Sequence, residues 1–185
     1  MSSPTRRATI ALTAAVIGIL LWRLRPDAGR VDPADEPADE PAAMRRLATW
    51  TPAPPTGEFA RLAAYTWAAP LTAAGLVLGA VAGTRPRVHE GALLFSHAGG
   101  LAARMLRWRR FSAATLGHVI IALDEPDPHL LAHELTHVRQ AERFGPLFAP
   151  LYLLALLRYG YRRSPFERAA YLAGQRSRER RREPA

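Results

Sequence analysis

The chain has no cysteine and no lysine, and each absence narrows the kinds of site it can contain. Without cysteine it forms no disulfide, no cysteine-ligated zinc site and no thiol nucleophile, so a transition-metal site must use histidine with aspartate or glutamate. All 25 basic residues are arginines, in a chain rich in alanine and proline. This composition indicates a high-GC bacterial coding bias, so the formal net charge of +9 is by itself weak evidence for a polyanionic partner.

The length of 185 residues allows one folded domain of about 100 to 150 residues, together with membrane segments and tails. Residues 8–22 form an uncharged apolar run with arginines on both sides, which predicts a membrane anchor at residues 1–25. A cleavable signal peptide has the same pattern. No small-x-small cleavage site follows the run, and this favours a retained anchor.

A second apolar run is long enough to cross a bilayer. Residues 63–83 contain no charge and can span about 30 Å of hydrocarbon as a helix, which predicts a transmembrane helix over residues 59–83. The alternative is a buried core helix. Trp67 near one end and Arg85 and Arg87 beyond the other favour the membrane interpretation.

Between the two runs, Pro-Ala-Asp-Glu occurs at residues 33–36 and again at 37–40, and a proline-rich stretch follows. Such a segment has little apolar surface to bury, so we predict a disordered linker at residues 26–58. From residue 84 onward the chain has 17 arginines against nine acidic residues, whereas residues 1–83 have eight against seven. The positive-inside tendency therefore predicts a bacterial inner-membrane protein whose C-terminal domain lies in the cytoplasm.

The C-terminal domain, predicted at residues 84–175, has the pattern of an α+β fold with a short sheet. Apolar and β-branched residues predict strands at 92–97 and 115–123, and 3.6-residue periodicity predicts a helix at 99–110. An apolar helix at residues 147–159 is too short to span a membrane, and a further helix begins near Ser164. The overall prediction is N-terminal membrane helices followed by this small α+β domain.

One helix of the domain has clear signals at both ends. Asp127 can cap it, Pro128 suits the first helical position, and Gly145 with Pro146 ends it after Phe144. This helix contains the run His-Glu-Leu-Thr-His at residues 133–137.

Two histidines four residues apart lie about 6 Å apart along a helix on nearly the same face, which makes His133 and His137 a metal half-site. Glu134 points to the flank of that face, where its carboxylate can take a proton from a metal-activated water without acting as a ligand. The composition and spacing therefore predict a zinc site with Glu134 as general base.

A catalytic zinc of this kind has three protein ligands, and the third must come from beyond the helix. Glu167, 30 residues after His137, is the candidate we favour. Ser164-x-x-Glu167 also fits a capping box, in which Glu167 would bond to the backbone of Ser164 instead. His129 and Glu142 are the remaining alternatives, although three histidines on one helix rarely enclose a metal.

Two other features are open to both a functional and a structural interpretation. His118, on the predicted strand before the motif, is a possible substrate or oxyanion contact, and the alternative is a histidine that completes a strand edge. The arginine-rich tail at residues 176–185 can be a solvated charged end or can bind anionic lipid headgroups. No nucleic-acid partner is expected, because no folded recognition motif accompanies the tail.

At residues 133–137 and at Glu167 the chain resembles zincin metallopeptidases of the gluzincin branch, and a longer run from residue 115 to residue 168 is similar to a group of small bacterial membrane proteins of that type. The resemblance implies a zincin-like domain in which His133, His137 and Glu167 bind zinc and Glu134 is general base. Many gluzincins have an acidic residue four positions after the ligand glutamate, which orients a metal-bound histidine. Here that position is Tyr171, so the groups that orient the ligands must differ or be missing.

The sequence thus predicts a membrane-anchored, zinc-dependent, peptidase-like hydrolase that acts on a peptide or protein substrate and contacts membrane lipid. Two alternatives remain open. One is a catalytically inactive relative that keeps the fold as an interaction module, and the other is a hydrolase of a non-peptide amide or ester.

Overall fold

A computed structural model describes residues 40–182 of the chain. The described part is α+β, as the sequence predicts, while the predicted anchor at residues 1–25 lies outside it. Its elements in chain order are α1 (Ala42–Thr49), α2 (Glu58–Ala80), β1 (Arg87–His89), β2 (Ala92–Phe95), α3 (Gly100–Arg109), β3 (Ala113–Leu116), β4 (Val119–Ala122), α4 (Pro128–Phe144), a 3₁₀ turn (Gly145–Leu147), α5 (Phe148–Tyr159) and α6 (Pro165–Arg182).

The four strands form one mixed sheet in the order β1-β2-β4-β3. The central pair, β2 and β4, is parallel, and antiparallel strands flank it on both sides. The single strand predicted at residues 115–123 is wrong, because Gly117 adopts φ +60° and turns the chain back into a hairpin. Gly117 and His118 are the two residues of the turn, and they interrupt the apolar run too briefly for hydrophobicity alone to distinguish a hairpin from one strand.

Both faces of the sheet are covered. On one face Phe95, Val119 and Ile121 pack against α3 and the C-terminal end of α2. On the other face Leu94 and Ile120 pack against α4. The strand β3 lies at the edge of the sheet beside α4, and this places the hairpin next to the histidine motif.

Helix α2 packs along its length against the rest of the domain. A Cβ atom at Gly75 would lie 2.5 Å from the backbone oxygen of Leu116, and one at Gly79 would lie 2.7 Å from the ring of Phe95, so only glycine permits this approach. Among residues 40–182, α2 is the one helix long and apolar enough to cross a membrane by length and composition, and 17% of its most apolar 18-residue window is buried.

The predicted linker at residues 26–58 extends too far toward the C-terminus. Residues 42–49 form α1, Ala48 is fully buried, and Glu40 makes a buried ion pair with Arg168 of α6, with a 2.7 Å contact between Glu40 Oε2 and Arg168 Nη1. Trp50 packs edge to face on Phe144. The few apolar residues of this segment were sufficient to dock it, although its composition suggested disorder.

The predicted tail at residues 176–185 also differs from the structure, since α6 continues unbroken to Arg182. Ser177 donates a hydrogen bond to the Pro128 carbonyl oxygen, and Arg176 donates to Thr51. The folded unit therefore extends beyond the predicted domain limits of 84–175 in both directions.

Candidate metal centre

Helix α4 carries the two histidines at its centre, where the backbone is most regular. The Asp127 side chain accepts a 2.7 Å hydrogen bond from the Leu130 amide, and Pro128 occupies the first turn, as predicted. His133 and His137 are 6% and 7% exposed, so both imidazoles face the interior. A capped helix packed on the sheet holds the two rings in fixed positions.

The structure brings His133, His137 and Glu167 together. The two Nε2 atoms are 3.2 Å apart, Nε2 of His133 lies 3.4 Å from Glu167 Oε2, and Nε2 of His137 lies 3.3 Å from Glu167 Oε1. Glu167 is 1% exposed. These three buried residues can hold a metal ion.

The separations fit a small tetrahedral ion. Ligand atoms about 2.0 to 2.1 Å from zinc and at tetrahedral angles lie about 3.3 Å from one another. The distance of 3.2 Å between the two nitrogens agrees with this value, and each nitrogen lies 3.3 to 3.4 Å from one of the two Glu167 oxygens. In addition, Glu167 Oε2 is buried and accepts no hydrogen bond from the described residues, which is unusual for a carboxylate oxygen and suits a metal ligand.

In the absence of a metal, the positive charge of His137 and the negative charge of Glu167 stabilise each other. Burial alone would lower the pKa of His137, but the Glu167 carboxylate outweighs burial and raises this pKa to about 9. Burial would likewise raise the pKa of Glu167, but the two histidines hold it well below its usual range. Glu167 therefore stays anionic at neutral pH, as a carboxylate ligand must be.

Gln140 fixes the tautomer of His137. The Gln140 Nε2 group donates a 3.2 Å hydrogen bond to the Phe166 carbonyl oxygen, so its Oε1 atom must accept, and it lies 2.9 Å from His137 Nδ1. Nδ1 of His137 consequently keeps its proton, so the proton that His137 gives up on binding a metal is the one on Nε2, the atom next to Glu167 and His133. This is the role that an acidic residue has in many zinc sites.

Two tyrosines contact the same group. The Tyr152 hydroxyl donates a hydrogen bond to Glu167 Oε1, and burial followed by the Glu167 charge raises the pKa of Tyr152 well above its usual value. The Tyr171 ring packs edge-on against His133 with 4.7 Å between ring centroids. Tyr171 thus occupies the expected position of the acidic orienting residue but supports His133 by packing.

Glu134 lies beside the three residues and is also buried, at 4% exposure. Thr115 on β3 donates a 2.6 Å hydrogen bond to Glu134 Oε2. This contact between the edge strand and α4 holds the carboxylate in place. The predicted base and the predicted ligands are therefore in one site, with Glu134 oriented by the hairpin.

A cavity of about 300 Å³ opens onto this site. Its polar lining comes from His133, Glu134, His137, Glu167, Tyr152 and Tyr161, with Arg109 at the end of α3. The remaining wall is mainly apolar and is formed by residues of β3, α5 and the segment after α3, including Phe111, Leu116, Phe148, Leu153 and Leu156. The site is thus an apolar pocket with a polar cluster on one side.

The capping-box alternative for Glu167 is not supported. The Ser164 hydroxyl is buried and has no hydrogen-bond partner among the described residues, so the serine half of such a box does not form. The Glu167 carboxylate points to the histidines and Tyr152 instead.

The structure places His118 away from the site. Its Nε2 lies 3.2 Å from Glu142 Oε1, its Nδ1 lies 3.0 Å from the Thr72 hydroxyl, and it does not line the cavity. Because Glu142 also accepts a 2.6 Å hydrogen bond from Arg139, the alternative ligand Glu142 is engaged in this second network. His118 therefore does not make the predicted substrate contact. Its role is structural, because it links α2 to α4.

Sequence reasoning missed Thr115, Gln140 and Tyr152 as members of the site. Gln140 had a detectable signal, since it lies three residues after His137 and therefore one helical turn away. Tyr152 carries the one side-chain hydroxyl in residues 148–157 of α5, which are otherwise apolar. Thr115 had no such signal in the sequence, because its position beside Glu134 depends on the hairpin turn at Gly117.

Comparisons of the chain with protein-family models, with curated proteins and with solved structures found no match. The case for a metal centre therefore depends on the geometry of the chain's own residues.

Proposed function

We propose that the chain is a membrane-bound, zinc-dependent hydrolase of the peptidase type. The observation that carries the proposal is the convergence of three buried ligand residues, whose nitrogen and carboxylate oxygen atoms approach to 3.2 to 3.4 Å, with the Glu134 carboxylate in the same cavity. A purely structural cluster would not need a second buried acid beside it, and burying acids without a cationic partner is unfavourable. The arrangement also matches the gluzincin resemblance at each of the four residues.

The donor set favours zinc among the common metals. Two imidazole nitrogens and one carboxylate oxygen are typical of catalytic zinc sites, which keep one further position open. Magnesium and calcium prefer oxygen ligands, and the group of three ligands contains only one carboxylate. His133, His137 and Glu167 would hold the ion, and Gln140 keeps His137 in the tautomer that binding requires.

Zinc in such a site supplies Lewis acidity that polarises a substrate carbonyl and makes a water molecule more acidic. Glu134 would take the proton from the attacking water and pass it to the leaving amine. The hydrogen bond from Thr115 to Glu134 Oε2 leaves the other carboxylate oxygen for this transfer. Tyr161 also lines the cavity, and its hydroxyl would donate a hydrogen bond to the oxygen on which negative charge develops.

The cavity wall suggests the kind of substrate. Phe111, Phe148 and Leu156 form an apolar surface beside the polar cluster, and such a surface would stabilise a large apolar side chain next to the scissile bond. We further propose that the enzyme works at the bacterial inner membrane with this domain on the cytoplasmic side. The excess of arginine from residue 84 onward, 17 against nine acidic residues, supports that orientation.

The test uses the full chain purified in detergent. We expect about one zinc per chain by elemental analysis, and loss of the metal in the double variant His133→Ala/His137→Ala. The matched control is His89→Ala/His97→Ala, since these two histidines lie outside the ligand group. Equal zinc content in the two double variants would contradict the metal centre.

Activity is measured separately on a peptide library that includes large apolar residues. The variant Glu134→Gln should keep its zinc and lose hydrolysis, because the amide cannot accept a proton. The control Glu179→Gln changes an exposed acid on α6. A wild-type protein that is loaded with zinc but inactive on every peptide would instead support the non-catalytic alternative, and activity confined to esters or non-peptide amides would support the other.

A further inference from the structure

The exposed apolar residues of the domain are concentrated on three helices. Val77 of α2 is 69% exposed, Trp108 of α3 is 68% exposed and Leu154 of α5 is 61% exposed. Phe59 and Leu62 extend the exposed apolar face of α2, and Met105 lies one turn from Trp108 on α3. Exposed apolar residues in such number usually mark an interaction site, so we expect a partner or a membrane to cover these helices.

The charges on these helices are almost all of one sign. Residues 59–89, 91–123 and 143–166 have 11 arginines and no aspartate or glutamate, and the acidic residue on the three helices is Glu58 at the first position of α2. The surface of a soluble protein normally mixes both signs. Helix α3 shows the pattern most clearly, because it exposes Met105 and Trp108 between Arg104, Arg107 and Arg110. Exposed apolar and aromatic residues interleaved with arginine are typical of helices that lie in a membrane interface.

We infer that the outer faces of α2, α3 and α5 form a docking face on which the whole domain rests against a bilayer that contains anionic lipid. The apolar side chains would enter the acyl boundary, and the arginines would pair with phosphate and other acidic headgroups. A second copy of the chain is a poorer occupant, because two such faces would bring arginines together without acidic partners.

The contacts of α2 favour a helix that lies along the membrane over one that crosses it. The Tyr65 hydroxyl donates to the Gly91 carbonyl oxygen, Thr72 bonds to His118, and the Ala82 carbonyl oxygen accepts from the Gly99 amide. Ala82 lies just beyond the last helical residue, so these contacts hold α2 from Tyr65 to its C-terminal end, about 22 Å of helix at about 1.5 Å per residue. A crossing helix would carry the sheet with its polar backbone edge into the hydrocarbon, which is unfavourable.

The docking face and the cavity share residues. Leu153 of α5 lines the cavity and is 39% exposed, and Phe111 with Arg109 lines it at the end of α3. If the proposed hydrolase function holds, the substrate is therefore an apolar peptide segment at the bilayer surface. The docking inference itself depends on the surface alone and not on the metal centre.

The absence of cysteine allows a direct test with single labels. The full chain carrying Met105→Cys, Leu154→Cys or the control Glu179→Cys is labelled with a fluorophore and reconstituted in vesicles of phosphatidylcholine and phosphatidylglycerol. We expect a lipid-borne quencher to reduce the signal at positions 105 and 154 several-fold more than at position 179. Aqueous iodide should show the reverse order.

Iodide quenching at positions 105 and 154 as strong as at position 179 would overturn the inference. Protection of both positions from both quenchers would overturn it too, because a second copy or residues 8–22 would then cover the face. Equal lipid quenching in vesicles of phosphatidylcholine alone would remove the role of anionic lipid. Cysteines at positions 59 and 81 that react with an impermeant reagent only from opposite sides would mean that α2 crosses. None of these readouts requires zinc or hydrolysis, so they fail independently of the proposed function.

Discussion

Gln140 offers a sharp test of the metal centre, because it touches a ligand without being one. In the variant Gln140→Leu, His137 loses the acceptor for its Nδ1 proton, whereas the Phe166 carbonyl oxygen keeps its place in the hydrogen-bond pattern of α6. Loss of a group that orients a metal-bound histidine lowers metal affinity by about 10-fold to 100-fold, which corresponds to about 1.4 to 2.8 kcal/mol. The buried Nδ1–H group without an acceptor should lower the free energy of unfolding by about 1 to 3 kcal/mol as well.

The control must match the loss of stability without touching the site. Val138→Ala does so, because Val138 is fully buried against the sheet on the same helix. Removal of two methyl groups should cost about 2 kcal/mol. Zinc affinity is measured by competition with a chromophoric chelator, and stability by urea unfolding of the metal-free chain in detergent. If Gln140→Leu binds zinc as tightly as Val138→Ala at equal stability, the orienting role of Gln140 is refuted.

Three further predictions follow from individual contacts. Glu167→Gln should weaken zinc binding by a large factor, whereas Ser164→Ala should leave zinc affinity unchanged and be neutral or stabilising, because it removes a buried hydroxyl without a partner among the described residues. If a chelator competition gives similar affinities for the two variants, the third ligand is His129 or Glu142 and not Glu167. Thr115→Val should lower kcat by about tenfold at unchanged zinc content, whereas the control Thr136→Val, which breaks a bond within α4, should not. His118→Leu should lower the free energy of unfolding by about 1 to 3 kcal/mol and leave zinc affinity unchanged; a fall in kcat with unchanged stability would restore His118 as a substrate contact.

The sequence predicted the helix that carries the histidines accurately because its signals are local. Asp127 and Pro128 begin α4 and Gly145 follows its last residue, as the capping rules require. The four-residue spacing then determines that His133 and His137 share a face. Glu167 could be proposed only as one of several candidates, because its approach depends on how α6 packs against α4.

The features that the sequence did not predict depend on tertiary contacts or on weak local signals. The hairpin at Gly117 lies within residues 115–123, which the sequence pattern predicted to be one strand. The turn is stabilised by the hydrogen bond that the His118 amide donates to the Thr72 hydroxyl of α2. Residues 42–49 are mostly helix formers, but they lie between proline-rich stretches and are docked by a few side chains and the ion pair between Glu40 and Arg168. A periodicity argument cannot detect partners that are more than 100 residues away.

The close fit of Gly75 and Gly79 against Leu116 and Phe95 bears on how this chain can evolve. A helix that serves only as a tether can be exchanged for any other apolar helix, and related proteins can gain or lose it freely. Helix α2 has no such freedom, because a substitution at either glycine would collide with the hairpin or the sheet. It should therefore be inherited together with the metal-binding helix, and a chain truncated at residue 84 should fail to fold where one beginning at residue 40 succeeds.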